Sequence, residues 1–388
     1  MTAGAGSFAA AADHVPAGGR LTIDLGAIAD NYRTLSRLSA PARTAGMVKA
    51  DAYGLGIAQV VPALAAAGCD TFFAALPREG LEVREAAPDA TIYVLNPLLD
   101  QATAKSLSQA RLRPVLNTMR EISLWGAVSG RDDRYALNID TGMNRLGVTP
   151  GEAMGLADVT GFEGPPPSLV MSHLACADEP DHRKNRLQLE SFQRVVAAFP
   201  GVESSFANSA GIFLGKDYRF GLTRPGIALY GGQPAAGPER MRTVATLELR
   251  IAQIRRARAG ETVSYGATET LKRDTVIAVA AAGYADGIFR AVSGAGVPMR
   301  DVIPAGGHGF VGGRRAPILG RVTMDLTMFD VMDCGPVEMG DWIELFGENM
   351  PLEEAAKAAG TISYELLTSL GRRFERRYLS GTRNDAHG

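Results

Sequence analysis

The sequence predicts a TIM-type (β/α)8 barrel followed by a second, mostly antiparallel β-domain, and three observations predict it. Eight short apolar runs alternate with helically patterned stretches between residues 44 and 230. Near residue 243 the pattern changes from unbroken runs to alternation. The chain is 388 residues long, more than the roughly 250–300 residues at which a single core stops growing, so two domains are expected. Residues 1–243 hold an N-terminal tail, a leading strand and the barrel, and residues 244–388 the β-rich domain.

The barrel runs are TAGMV ending at Val48, TFFAAL (71–76), TIYVL (91–95), RPVL (113–116), YALNI (135–139), SLVMS (168–172), SSFA (204–207) and RPGIALY (224–230). Strands of a parallel barrel are covered on both faces, so they read as continuous apolar runs. Amphipathic stretches such as 56–67 and 181–198 supply connecting helices. GPPPS (164–168) reads as a stiff loop entering a strand, because proline cannot serve inside a central ladder. In the second domain Leu247, Leu249 and Ile251 alternate with Glu248, Arg250 and Ala252, the signature of a half-buried strand. TVIAVAAAG (275–283), RAPILG (315–320), VTMDLTMFDV (322–331) and DWIELFG (341–347) predict further strands, and residues 351–370 a late helical stretch. There is no internal repeat.

Composition excludes several classes. Hydrophobic residues at 46% and charged residues at 21% describe a folded, soluble chain. A net charge of -2, with Lys and Arg dispersed, offers no footprint for nucleic acid. Cys69, Cys176 and Cys334 are odd in number and far apart, which suits a reducing cytoplasm and no disulfide framework. The opening MTAGAGSFAAAADHVPAGG lacks the basic start and apolar run of a signal peptide and reads as a loose tail. No stretch approaches the roughly 20 apolar residues that span a bilayer. A cytoplasmic enzyme acting on a small molecule, with neither nucleic acid nor membrane as partner, is the expectation.

Lys49 stands in MVKADAYGLG directly after the first barrel strand, and strand C-termini are where barrels place their chemistry. In a water-poor barrel mouth an amine keeps more of its neutral form and can make a Schiff base with a cofactor aldehyde. Taken alone, such a lysine reads more readily as a surface residue. MVKADAYGLG, however, resembles the pyridoxal-phosphate attachment motif of the alanine racemase family. IDTGMNRLG (139–147), SHLACAD (172–178), FANSAG (206–211) and TRPGIALYGG (223–232) are similar to that family's barrel motifs, in the same order. VSYGAT (263–268), AGYADG (282–287), GRVTMD (320–325) and TISYELLTSLGRRF (361–374) resemble its second domain. The resemblance covers about residues 20 to 378. It implies pyridoxal 5'-phosphate as cofactor, interconversion of L- and D-alanine, supply of D-alanine for peptidoglycan, and a leading RLTIDL that belongs with the C-terminal domain.

Carried over residue by residue, the resemblance makes Lys49 the cofactor-bearing lysine and one of two acid–base groups, with Tyr265 the other. Racemisation needs both, because the proton leaves one face of the α-carbon and returns to the opposite face. The family brings this tyrosine from the neighbouring subunit, so a homodimer with shared active sites is implied. Arg224 corresponds to the residue facing the cofactor's pyridine nitrogen. Arginine does not give up a proton there, so the ring is a weaker electron sink and side reactions are limited. His173 supports the ring and Arg224. Tyr53, Ser209, Tyr364 and the backbone of Gly226 and Ile227 match the phosphate grip, and barrel phosphate sites favour the loops after strands seven and eight. Arg145 matches a contact to the cofactor's phenolic oxygen and the substrate carboxylate side, Met324 a backbone donor to that carboxylate, and Asp325 orients the Met324 stretch. Asp178, Tyr284, Arg290 and Arg321 resemble a narrow substrate entryway.

Many family members carry a carbamylated lysine where this chain has Asn138, seven residues before Arg145. A neutral amide cannot supply that negative charge, so a chloride between Asn138 and Arg145 is expected. Leu55 stands where histidine is frequent. GHGFVG (307–312) fits a GxGxxG pattern, but a strand-like RRAPILGRVTMD follows it where a dinucleotide site needs a helix, so it reads as a glycine-rich β turn. His173, Cys176, Asp178, Glu179, Asp181 and His182 crowd into SHLACADEPDH at spacings that match no standard zinc pattern, so no metal is expected. A decarboxylase on the same architecture would place an acid where Arg224 stands, and a bare cofactor carrier would not need the domain that brings Tyr265. A nicotinamide dehydrogenase is the remaining rival. Acceptance of serine or other small side chains is left open.

Overall fold

The computed structural model describes residues 17–128, 130, 133–158, 167–234, 239–294 and 306–380. The chain forms two compact units, Asp24–Val244 and a second made of Ala245–Leu379 with the leading segment through Ile23. The predicted tail through residue 16 and the first three residues of GPPPS lie outside the described residues.

In the first unit the strands are Arg43–Thr44 continuing as Gly46–Met47, then Thr71–Ala74, Thr91–Val94, Arg113–Leu116, Ala136–Asn138, Leu169–Met171, Glu203–Asn208 and Leu222–Arg224. Consecutive strands pair in parallel, Phe72 opposite Ile92 and Leu137 opposite Val170 for example. The first strand closes the ring, its Arg43–Thr44 part pairing with Leu222 and Thr223 and its Gly46–Met47 part with Phe72 and Phe73. Thr71–Ala74 is buried at every position, as a strand covered on both faces must be. Helix Leu25–Ser39 begins at Asp24, whose Oδ1 accepts from Ala27 N at 2.8 Å and satisfies one orphan donor of the first turn. Helices Ile57–Ala66 and Arg183–Ala197 occupy the two amphipathic stretches.

The reading of RPGIALY as the eighth strand is corrected. The strand is Leu222–Arg224 and ends where that run begins, and Ile227–Tyr230 is a 3-10 turn. Pro225 has no N–H to continue the ladder, and Gly226 turns the chain with φ -122° and ψ -91°. Ile227, Ala228, Leu229 and Tyr230 are all buried, which is why they imitate a strand in the sequence.

The second unit is built on Ala245–Ala257, with Leu247, Leu249 and Ile251 inward and Glu248 and Arg250 half-buried. It pairs antiparallel with Gly19–Asp24, with Trp342–Phe346 and, further along, with Thr275–Ala280. Thr327–Asp330, Arg314–Leu319 and His308–Val311 complete an antiparallel circuit back to Trp342–Phe346, and Glu375–Leu379 adds to the leading strand. Three local expectations change here. VTMDLTMFDV becomes a strand only at Thr327–Asp330. The late helical stretch is two helices, Leu352–Ala358 and Ser363–Thr368. GHGFVG is itself mostly strand, His308–Val311, turning into Arg314–Leu319 as a hairpin.

Among the described residues no helix is long and apolar enough to cross a membrane, and all three cysteines are unpaired. Leu249 is fully buried at the centre of the second unit's sheet. Leu249→Ala should cost about 2–5 kcal/mol, whereas Met339→Ala, at a position 73% exposed, should stay within about 0.5 kcal/mol of wild type. Urea unfolding of both variants checks the contrast.

Candidate active site

In the barrel unit, Lys49, Asn138, Arg145, His173 and Arg224 line one cavity of about 340 Å³ together with Asn96, Asn117 and Asp140. All but Arg145 lie at or within two residues of a strand's C-terminal end, so the same rim gathers them. Arg145 arrives on the loop that follows Ala136–Asn138.

After Val48 the chain makes a left-handed turn, with Ala50, Asp51, Ala52 and Tyr53 at φ 54°, 53°, 53° and 57°. An L-residue there costs roughly 1–2 kcal/mol, so four in a row store about 4–8 kcal/mol of local strain that surrounding contacts must offset. Ala52 N donates to Val48 O and Gly56 N to Asp51 O, each at 2.9 Å, and Ile57 N donates to Asp51 Oδ1 at 2.8 Å. The Lys49 amine is held below its usual 10.5, by burial first and by Arg145 second, with Glu79 opposing. A larger share of neutral amine follows.

Arg224 is 2% exposed, and Nη1 donates to Ser205 Oγ while Nη2 donates to Ser172 O at 2.7 Å. Burial lowers the guanidinium to about 10, so it is still a cation at neutral pH. Among the described residues no carboxylate is ion-paired with it. His173 Nδ1 lies 3.5 Å from Arg224 Nη2. Burial, then Arg224, Arg145 and Lys49, push His173 down to about 3, and it is neutral throughout the ordinary range.

Asp140 is the cavity's one described carboxylate. Its Oδ1 accepts from the backbone N–H of Gly142, Met143 and Asn144 at 2.8, 2.8 and 3.1 Å, so it shapes the Arg145 loop. That loop closes as Asp140 N donates to Val148 O and Val148 N to Asn138 O, both at 2.9 Å. Gly147 permits the closure: its φ is 125°, and a Cβ there would lie 2.6 Å from Asp140 N. Asn138 Nδ2 donates to Asn117 Oδ1 at 2.9 Å and to Leu146 O at 3.1 Å. Both of its amide hydrogens are therefore committed to protein oxygens.

Beside the eighth strand, Ser209 Oγ accepts from Gly226 N at 2.8 Å and Ala228 N at 3.3 Å, with Ile227 buried between them. A Cβ on Gly226 would sit 2.1 Å from Tyr53 Oη, so only glycine lets that hydroxyl approach this backbone. The Tyr53 ring packs 4.7 Å from Tyr230, whose hydroxyl donates to Met47 O at 2.8 Å. Three cations, one committed carboxylate and this serine–glycine–tyrosine cradle form a donor-rich set suited to an anionic, phosphorylated ligand.

In the second unit, Tyr265 opens the turn Tyr265–Ala267 between paired Thr262–Val263 and Glu269–Thr270, and it is 70% exposed. Ser264 Oγ donates to Arg321 O at 2.6 Å and ties this hairpin to the loop holding Met324. Tyr284 N donates to Thr323 O at 2.9 Å and Ala285 N to Met324 O at 3.0 Å, so Tyr284 and Met324 are neighbours. Asp325 Oδ1 accepts from Arg373 Nη2 at 2.9 Å, and Arg373 Nε lies 3.1 Å from the buried Asp286, whose Oδ2 accepts from Gly283 N at 2.9 Å. Arg290 is exposed in the turn Arg290–Val292, and Tyr364 is half-exposed in Ser363–Thr368.

Asp178 is exposed and does not line the Lys49 cavity. Its segment is shaped by Asn185, whose Nδ2 donates to Cys176 O at 3.0 Å and Glu179 O at 2.9 Å. Among the described residues no three His, Cys, Asp or Glu side chains gather as metal ligands. Sequence reasoning missed Ser172, Ser205, Gln188 and Arg373. Gln188 donates to His173 O at 2.9 Å and accepts from Ala175 N at 3.0 Å. The available signal was a serine inside each of two apolar strand runs, since a buried hydroxyl needs a partner.

Because His173 is neutral when folded yet protonates near 6.5 when unfolded, the unfolded chain binds the extra proton as pH falls below 6.5. Stability is then complete above pH 6.5 and declines toward pH 3, by up to about 1.4 kcal/mol per unit. His173→Asn should flatten that decline between pH 6.5 and 5. Urea midpoints taken across this window test it, and an unchanged slope would refute the assignment.

Comparison with known proteins gives one answer over nearly the whole chain. The profile for the alanine racemase N-terminal domain matches residues 23–234, and that for the alanine racemase C-terminal domain matches residues 244–378. A biosynthetic alanine racemase of Agrobacterium fabrum is 53% identical, with 93% of each chain covered. A catabolic alanine racemase of the same organism is 44% identical, covering 94% of this chain and 92% of the relative. The solved structure of alanine racemase from Bartonella henselae with covalently bound pyridoxal phosphate superposes with a TM-score of 0.86 at 37% identity, covering 94% of this chain and all (100%) of that one.

Proposed function

The chain belongs to the alanine racemase family, and we propose that it interconverts L- and D-alanine with pyridoxal 5'-phosphate held on Lys49. The observation that carries this reading is the convergence of a desolvated Lys49 amine with Arg145, Arg224 and a neutral His173 in one cavity. The donor set fits the cofactor: an anionic phosphate and phenolate would meet the charge the cavity lacks, and Gly226, having no Cβ, lets the Tyr53 hydroxyl come up against the same backbone. When bound, pyridoxal phosphate draws electrons from the substrate α-carbon and makes its proton acidic.

The phosphate grip would be Tyr53, Ser209 and Tyr364 with the backbone of Gly226 and Ile227. Arg224 would face the pyridine nitrogen as a permanent cation, backed by neutral His173. Arg145 would meet the phenolic oxygen and the substrate carboxylate, and Met324 N–H that carboxylate. Lys49 Nζ would take or return the proton on one face of the α-carbon. The partner subunit's Tyr265 would do so on the other. In this division residues 1–243 would supply most of the cofactor site, and 244–388 would supply Tyr265 and add Tyr364 to the phosphate grip.

A homodimer is supported by Tyr265, Tyr284, Met324 and Leu326, large side chains exposed on the second unit, with the Tyr284 backbone beside Thr323 and Met324. Asp178, Tyr284, Arg290 and Arg321 would form the entryway and limit side-chain size. A cytoplasmic, biosynthetic role supplying D-alanine for peptidoglycan is supported by unpaired cysteines and by higher identity to the biosynthetic relative than to the catabolic one. Incubation with a panel of L-amino acids and chiral chromatography tests the reaction, and absence of inversion with every small amino acid would overturn it. Lys49→Ala should abolish both the yellow colour and racemisation, while Tyr265→Phe should keep the colour and lose roughly 10²–10⁴-fold in rate.

A chloride beside Arg145 is also proposed as the charge that replaces a carbamate. With the Asn138 amide hydrogens committed to Asn117 and Leu146, the guanidinium would be its main contact. Anomalous scattering from bromide-soaked crystals should show a peak there, and a map with water alone would remove the ion from the scheme.

A further inference from the structure

We propose that Glu79 is a positioning residue for Lys49, its carboxylate clamping the left-handed turn that carries the amine to the loop after the second barrel strand. The inference rests on the reading of Lys49 as the cofactor-bearing lysine. Glu79 Oε1 accepts from Ala50 N at 2.8 Å, the residue next to Lys49. Its Oε2 accepts from Ala75 N at 2.8 Å and Leu76 N at 3.0 Å, the two residues that follow strand Thr71–Ala74. One side chain thus joins the start of the strained turn to a rigid strand end.

The chemistry of the clamp requires a carboxylate. Three N–H donors converge on two oxygens, and a glutamine would turn an NH2 donor toward at least one of those N–H groups. Glu79 also sits in the first turn of helix Pro77–Ala86, where a negative charge is favoured by the helix dipole. Its position is therefore fixed by its own helix before it engages the turn. Ala50 is exposed to solvent, so shielding of its N–H from water exchange depends on this contact.

Glu79 acts on the amine by charge as well. The titratable groups lining the Lys49 cavity are Asp140, Arg145, His173 and Arg224. Arg145 lowers the amine's proton affinity and Glu79 raises it, while Asp140 is turned to the amides of its own loop. Removing the Glu79 charge should therefore make Lys49 easier to deprotonate. The same removal should loosen the turn.

The test compares holoenzyme of wild type, Glu79→Gln and Glu79→Asp. Hydrogen exchange of the amides at residues 50–56 should be about 10- to 100-fold faster in both variants, the range for loss of a charge-assisted hydrogen bond. In Glu79→Gln the limb of the racemisation pH profile that reports Lys49 deprotonation should move to lower pH. In Glu79→Asp, which keeps the charge but not the reach, that limb should return toward wild type while exchange remains fast. Unchanged exchange together with an unmoved limb would overturn the clamp. If the variants do not fold, the wild type decides: an Ala50 amide exchanging at the rate of an unprotected one overturns it, and a protected one upholds it. Borohydride reduction followed by peptide mapping separates the two readings, because a wild type with no pyridoxyl group on Lys49 fails the cofactor assignment, whatever the exchange result.

Discussion

Closure of the parallel sheet is the constraint on which the site depends. The strand Arg43–Met47 is short, yet it must pair with the eighth strand through its first half and the second strand through its last. Once the ring closes, all strands end at a common rim. Residues separated by as much as the span from Lys49 to Arg224 then meet in one cavity without any direct sequence relation. The loops refine what closure delivers. Asp140 and Gly147 fold the Arg145 loop back on itself, and Gln188 braces the loop that carries His173.

Gathering cations at one rim creates an electrostatic problem that the residues resolve unequally. A buried charge without a partner is costly, and a group whose solution pKa lies near neutrality escapes by losing its proton. His173 does so, falling to about 3. Arg224 cannot, since burial brings it only to about 10 and its bonds to Ser205 and Ser172 O are neutral ones. Lys49 lies between these cases. The net result is a pocket with excess positive charge whose single carboxylate is committed to its own loop. An anion entering it would meet charge that the fold itself supplies.

Much of this was legible in the sequence where burial and chain periodicity agree. TFFAAL, TIYVL and RPVL are unbroken apolar runs because both faces of those strands are covered, and Leu247, Leu249 and Ile251 alternate because one face is not. RPGIALY misled because burial alone does not separate a strand from a buried 3-10 turn. Lys49, His173 and Arg224 were visible through motif strings, but their charge states were not, since these come from neighbours brought by closure. Glu79 was hidden for a simpler reason. A glutamate in the first turn of a helix is common, and nothing local reveals that its oxygens also hold another loop.

The left-handed turn shows most clearly why a motif is not a structure. ADAY, the four residues at positive φ, contains no glycine, and alanine and tyrosine have no local preference for that conformation. The strain must be offset from outside, by closure at Met47, by hydrogen bonds to Asp51 and Val48, and by the approach of Tyr53 to Gly226. Tyr53 is thus both the last residue of the strained turn and part of the cradle beside Ser209. A ligand that engages this cradle while neutralising the cations would stabilise the turn and the charge cluster together, and by linkage the folded state gains what the ligand's binding supplies. Strain and charge excess thus meet in one stretch of chain, since Tyr53 closes the strained turn and borders the cradle that would face the anion.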